Sequence, residues 1–136
     1  MRKELEQKLV ERWPQWFNTK GDVRHTLMSW GFVHDDGWFD ILWRLCEDSE
    51  PLVAEFEATG ECQFEILQVK EKFGGLRIYV NDANDAIRQC IEVAQQESFH
   101  TCEVCGQPGI RREGNWINTL CDEHAIADTP QTSIAN

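Results

Sequence analysis

No stretch of this chain approaches the roughly 18–20 consecutive apolar residues that cross a bilayer, so no membrane-spanning helix is expected. The first residues, MRKELEQKLVERW, begin basic but contain neither an apolar run nor a cleavage site, and no secretory signal is expected there. There is no internal repeat and no basic tail. A phosphate loop is excluded because Gly74-Gly75 is followed by LRIYV, which reads as a strand, where a Lys-Ser/Thr pair opening a helix is needed. No Ser-His-Asp or Cys-His nucleophilic set is readable. A disulfide framework is not expected either: three of the six cysteines belong to one compact motif, and Cys46, Cys62 and Cys90 are isolated in apolar surroundings. A reducing, cytoplasmic setting fits that usage.

The formal charge is −11, and the acidity is spread along the chain. Residues 1–60 hold seven basic and twelve acidic residues, 61–100 hold four and seven, and 101–136 hold two and five. Such a surface repels nucleic acid at long range, and it either favours basic partners or merely keeps the protein soluble. The length suits one compact unit, or one unit with a small appendage.

The periodicities predict an α+β fold, with N-terminal helices packed against a small antiparallel β-hairpin or sheet. Leu5, Leu9, Trp13 and Trp16 mark one face of a helix over residues 2–13, broken by Pro14. Residues 23–30 read as a short helix closed by Gly31. HDDGWFDILWRLCEDSE reads as a central helix capped by Asp35 or Asp36, and Pro51 as the first turn of another helix reaching Ala58. Residues 62–73 and LRIYV read as strands joined through a Gly74-Gly75 turn. A third long helix runs from about Asn84 to Ser98 and leads straight into the cysteine motif. Trp13, Trp16, Trp30, Trp38 and Trp43 are expected to build one aromatic core. The division expected is an α+β domain over 1–100, a finger over 101–128 and a frayed tail over 129–136.

Cys102, Cys105, Cys121 and His124 have the spacing C-x2-C-x15-C-x2-H. Two cysteines two residues apart reach one ion if the backbone turns tightly, and Gly106 supplies that freedom. Cys121 and His124 fall on one face of a helix start. The intervening IRREGNWINTL reads as a hairpin around Glu113-Gly114-Asn115, with Trp116 packed under it. Four protein ligands of this softness point to one Zn2+ in a closed, structural site. A nucleoside deaminase is excluded by the lack of His-x-Glu. An HNH-type nuclease is excluded because no histidine lies between Cys105 and Cys121, and His100 reads as a loop residue or spare ligand.

Outside the finger, Lys70, Lys72 and Arg77 surround the Gly-Gly turn and read as a hairpin tip able to meet phosphate or an acidic patch. His25, His34, Asp35, Asp36 and Asp40 are the residues from which an enzyme site would have to be built. Three functions therefore compete: a non-enzymatic protein-interaction module, a nucleic-acid-binding protein and an enzyme.

The region from Cys102 to His124 resembles treble-clef zinc fingers, and alone it also resembles the finger of the DksA/TraR regulators, which place theirs beside a long helical hairpin. HDDGWFDIL, QVKEKFGGLRIYV and TCEVCG…TLCDEH together resemble a group of small phage, prophage and bacterial proteins. That resemblance implies a zinc-binding accessory protein, plausible as a phage-encoded modulator or inhibitor of bacterial host machinery. The expected partner is a bacterial protein with a basic, nucleic-acid-handling surface.

Overall fold

The computed structural model describes residues 1–60 and 62–128. The tail expected over 129–136 lies outside the described residues. The architecture is α+β, with four helices, a three-stranded sheet and a two-stranded sheet. Helix α1 spans Lys3–Arg12, α2 Phe39–Thr59, α3 Asp85–Ser98 and α4 Asp122–Asp128. Strands β1 (Phe32–Val33), β2 (Ile66–Lys72) and β3 (Gly75–Val80) form the first sheet in the order β1-β2-β3. Strands β4 (Ile110–Arg112) and β5 (Asn118–Leu120) form the second.

Of the face expected on the first helix, Leu9 is buried within α1 and Leu5 is half-buried, while Trp13 and Trp16 are buried in the turn that follows the helix. Trp13 stacks on Trp16 at 6.0 Å and meets Trp43 edge-on at 4.8 Å, while Trp16 meets Phe64 edge-on at 5.2 Å. Such pairs add specificity to the apolar area they bury. Trp30 is not part of this core. Residues 23–30 form no α-helix but end in a 3-10 turn, Met28–Trp30, which points Met28 inward and leaves Trp30 74% exposed.

Helix α2 is one continuous helix, not two. Pro51 lies inside it and removes the hydrogen bond to Glu47, at a cost of about 3 kcal/mol in a helix interior. Both residues are exposed, so water can serve the orphaned carbonyl. Ile41, Leu42, Leu45, Cys46 and Val53 are buried on the inner face, and each apolar side chain of that size contributes about 1.5–3 kcal/mol, which outweighs the proline. The capping expected of Asp35 and Asp36 is not seen, because neither end of the preceding turn has a side-chain cap. Asp36 instead accepts from the Arg2 backbone N–H at 2.7 Å and pairs with its guanidinium at 2.8 Å. Helix α3 lies where expected, and Asn84 caps it, its side chain accepting from the Ile87 N–H at 3.0 Å.

The hairpin forms where expected, with a different turn. Lys72 pairs with Gly75, so the two loop residues are Phe73 and Gly74. Both have positive φ, 53° and 83°, as a tight hairpin of primed type requires. Glycine enters that region freely, but phenylalanine does so at about 1–2 kcal/mol. Gly75 is already strand, and its need for glycine is different: a Cβ there would lie 2.5 Å from the Phe99 ring.

The third strand was not legible in the sequence. β1 pairs with β2 in parallel, Phe32 opposite Val69. Helix side chains occupy donors on both outer edges of the sheet. Glu6 accepts from Phe32 N–H at 3.1 Å, Ser98 Oγ from Leu76 N–H at 2.8 Å, and Gln95 from Ile78 N–H at 3.0 Å. Edges closed in this way resist pairing with another chain.

Candidate metal centre

The Cys102–Cys105 pair follows directly on the turn that ends α3. The loop folds back through Cys102 N–H to Gln107 O (2.8 Å) and Gly106 N–H to Cys102 O (2.9 Å), with Gly106 at φ 80°. Left-handed backbone there lets the chain reverse within a few residues of the second sulfur. β4 and β5 then form an antiparallel hairpin, Ile110 opposite Leu120, which returns the chain to Cys121 at the start of α4. His124 lies one turn into that helix.

These four side chains converge, with all ligand atoms within 4.8 Å of one another. Cys102 Sγ is 3.6 Å and Cys121 Sγ 3.2 Å from His124 Nδ1, and Cys105 Sγ is 3.8 Å from Cys121 Sγ. A tetrahedral ion with bonds of about 2.3 Å to sulfur and about 2.0 Å to nitrogen has S···S edges near ~3.8 Å and S···N edges near ~3.5 Å. The donor set and its spacing are therefore those of a metal site and compatible with zinc. The imidazole presents Nδ1 to the cluster.

The local electrostatics point the same way. Burial works against a thiolate at Cys102, but backbone N–H groups of Cys121, Cys105 and Val104 oppose it and hold the pKa at about 6. Cys105 behaves differently. The Gln107 backbone N–H draws its pKa down, yet burial and the neighbouring Cys102 and Cys121 sulfurs raise it above the usual value. Three sulfurs so close cannot all be anions without a cation among them.

The finger has a small apolar cluster of its own, Cys102, Leu120 and Ala125. It is also held to both other stretches singled out in the sequence. Gly37 N–H donates to Glu103 O at 2.6 Å, Trp38 Nε1 to Thr101 O at 2.9 Å, and Asp35 N–H to the Glu103 carboxylate at 3.0 Å. On the hairpin side, Thr119 Oγ1 donates to Gly74 O at 2.6 Å and Arg111 Nε to Phe73 O at 2.9 Å. HDDGW, KFGG and the cysteine motif thus meet in one place. Nothing in the spacing of the first two motifs announces that contact.

Lys70, Lys72 and Arg77 come together. Lys70 stands opposite Arg77 in the ladder, and alternation places Lys72 on their face. The Lys70 ammonium lies 5.7 Å from the Tyr79 ring and that of Lys72 5.6 Å from the Phe73 ring. His25, His34, Asp35, Asp36 and Asp40 do not form one side-chain cluster, although His34 Nδ1 bonds the Asp35 carbonyl. His25 faces Glu65 at 3.0 Å. His34 is buried between Phe32 and Trp38, and Asp40 is exposed in the first turn of α2. His100 is exposed in the turn after α3 and is not among the clustered ligands.

Two further expectations change. Trp116 is not packed under the finger hairpin but is 73% exposed, and Cys62 is exposed where an apolar setting was expected. Phe73, also exposed, was read in the sequence only as the end of a strand. The signal that could have marked it is the Phe-Gly pair itself, because a turn residue other than Gly, Asn or Asp at positive φ is costly.

No helix among the described residues is long and apolar enough to cross a membrane. No protein-family model matches the chain, and no curated protein and no solved structure shows significant similarity to it.

Proposed function

We propose that this chain is a small, cytoplasmic, non-enzymatic protein-interaction module built on one structural zinc ion. Cys102, Cys105, Cys121 and His124 hold the ion in a treble-clef-like finger. The observation that carries this reading is the count of converging protein ligands. Four fill a tetrahedral shell and leave no position for water or substrate, where a catalytic zinc keeps one open. The ion then stabilises a segment whose own apolar cluster is only three buried residues.

The partner in this reading is a bacterial protein with a basic, nucleic-acid-handling surface, and the chain acts on it as a phage-encoded modulator. Charge supports that choice. Helix α2 carries six acidic residues and one arginine, and Glu47, Asp48 and Glu55 are exposed along it. Complementary charge steers encounter and sets specificity. The test is capture from nuclease-treated bacterial lysate by zinc-loaded chain, compared with E47K/D48K/E55K. A basic protein retained by the parent and lost by the charge-reversed variant supports the reading. Equal recovery by both sinks the acidic face as the contact.

A second reading is single-stranded nucleic-acid binding, favoured by the placement of Lys70, Lys72 and Arg77 on one sheet face beside Tyr79. Cations interleaved with aromatics suit such strands. Recovery that disappears with nuclease and with K70E/K72E would select it.

A further inference from the structure

The tips of the two hairpins, one from each sheet, face a common cleft of about 310 Å³ lined by Glu71, Phe73, Gly114, Asn115, Trp116 and Ile117. That is the lower limit of ligand pockets, roughly 300–1,000 Å³, and suits a single inserted side chain. Phe73 is 56% and Trp116 73% exposed. Two large aromatics left in water on one cleft form an apolar patch of the kind that marks a contact surface.

The backbone gives an independent indication. Phe73 is the one described non-glycine residue with positive φ. Asparagine or glycine would make this turn without strain. The chain instead holds a bulky aromatic in a costly conformation and exposes it. Strain of this kind persists where the surroundings hold it, and it clusters at ligand clamps. Here the surroundings are visible: Arg111 binds the Phe73 carbonyl and Thr119 the Gly74 carbonyl, so the finger itself fixes the strained turn.

The chemistry of the cleft selects its occupant. Glu71 is the one charged lining residue, and one of its oxygens accepts the Gly74 N–H at 2.8 Å. A carboxylate in a cleft that two aromatic side chains also line suits a planar cation that can stack and donate at once, which is a guanidinium rather than an ammonium. Lys72 already lies against the Phe73 ring, so Trp116 offers the freer ring face. The geometry points to this cleft as the site that receives an arginine side chain of the partner. The inference rests on the reading of the chain as a module for a basic protein.

The probe is a fluorescein-labelled hexa-arginine peptide, titrated by anisotropy into zinc-loaded chain, with hexalysine and oligothymidylate as comparisons. W116A and E71Q are each expected to weaken hexa-arginine binding on the order of tenfold, the range of an anchoring contact. Hexalysine is expected to bind the parent more weakly than hexa-arginine. F73N removes the strain and the ring together, so it is expected to raise the unfolding midpoint while weakening binding. A merely structural Phe73 would move both in one direction. Unchanged affinity in W116A and E71Q overturns the cleft, as does hexalysine binding equally well or oligothymidylate competing through Trp116. The E47K/D48K/E55K variant separates the two ideas. Loss there with no loss in W116A or E71Q removes the cleft and leaves the acidic-face reading standing, whereas cleft-dependent binding untouched by that variant removes the α2 face instead.

Discussion

Gly37 lies directly on the backbone of Cys102: a Cβ at position 37 would stand 2.0 Å from the Cys102 carbonyl oxygen and 2.5 Å from that of Glu103. Position 37 lies in the 3-10 turn before α2 and position 102 opens the Cys/His cluster, so the tightest contact found at any glycine joins the entry to the central helix to the finger. The Gly106 side approaches as closely as it can from the other direction, its hypothetical Cβ 3.1 Å from Gly37 O. No flexible side-chain end stands at these points, only backbone.

G37A is therefore expected to destabilise the protein by about 3 kcal/mol, the upper part of the usual overpacking range. Its effect should reach the metal, because the 102–106 turn must shift to admit the methyl. Urea unfolding gives the first number, and competition with a chromophoric chelator gives the second. An alanine variant with parental zinc affinity and midpoint would contradict the packing just described.

Removing zinc, or substituting C105S, is expected to disorder residues 101–126 before the rest. Structural zinc contributes apparent energies of about 10–16 kcal/mol in isolated fingers, and among the described residues the finger's own buried apolar cluster is Cys102, Leu120 and Ala125. Hydrogen exchange should show amides of β4 and β5 losing protection while α2 and β2 keep theirs. Elemental analysis of the parent, prepared under reducing conditions without chelator, should give one zinc per chain.

G75V is expected to destabilise the hairpin by bringing a branched side chain into the Phe99 ring, 2.5 Å from the first added atom. The ring can tilt, so the cost should lie near ~1–3 kcal/mol. Zinc stoichiometry should stay at one, since Gly75 touches no ligand. The comparison of thermal midpoint with metal content checks both halves.

His34 gives the protein a pH-sensitive term. Burial depresses its pKa from 6.5 to about 4, against the bond from Nδ1–H to Asp35 O at 2.7 Å; the positive amino terminus lowers it further and Asp36 raises it. Nε2 is buried without a partner. The unfolded chain takes up the proton near pH 6.5 and the folded chain resists until about 4. Stability from this residue is thus fully present above pH 6.5, declines as pH falls through that window and levels off below about 4. The full difference is on the order of 3 kcal/mol. Denaturant titrations at several pH values should show a smaller acid loss in H34Q than in the parent, with zinc release common to both.

Duplex DNA is expected to bind negligibly at ~200 mM salt. A charge of −11 repels it, and Lys70, Lys72 and Arg77 can neutralise at most about three phosphates where strong non-specific binders use roughly six to ten. Titration at ~50 and ~200 mM salt measures this directly. Micromolar affinity with a steep salt slope, abolished by K70E/K72E, would promote the nucleic-acid reading.

The sequence alone determined what depends on local chemistry. The C-x2-C-x15-C-x2-H spacing named all four residues of the converging cluster, because two short loops bring each pair together. The period of Leu9, Trp13 and Trp16 announced the buried side of α1 and of the turn that follows it, and the spacing of Ile87, Ile91 and Ala94 announced the inner face of α3. Tertiary structure decided what depends on partners distant in the chain. β1 is two residues long and exists because Val69 lies beside Phe32. Pro51 sits inside a helix because burial along the inner face of α2 outweighs one lost hydrogen bond. Gly37 and Gly74 are spaced like ordinary turn residues, and only the finger packed against them shows why a side chain has no room at position 37 and little at position 74. Trp116 reads in the sequence as packed under its hairpin, and Phe73 only as the end of a strand. Their exposure, and the cleft they share with Glu71, arise because two hairpins remote in sequence are fixed tip to tip, a relation that no local period encodes.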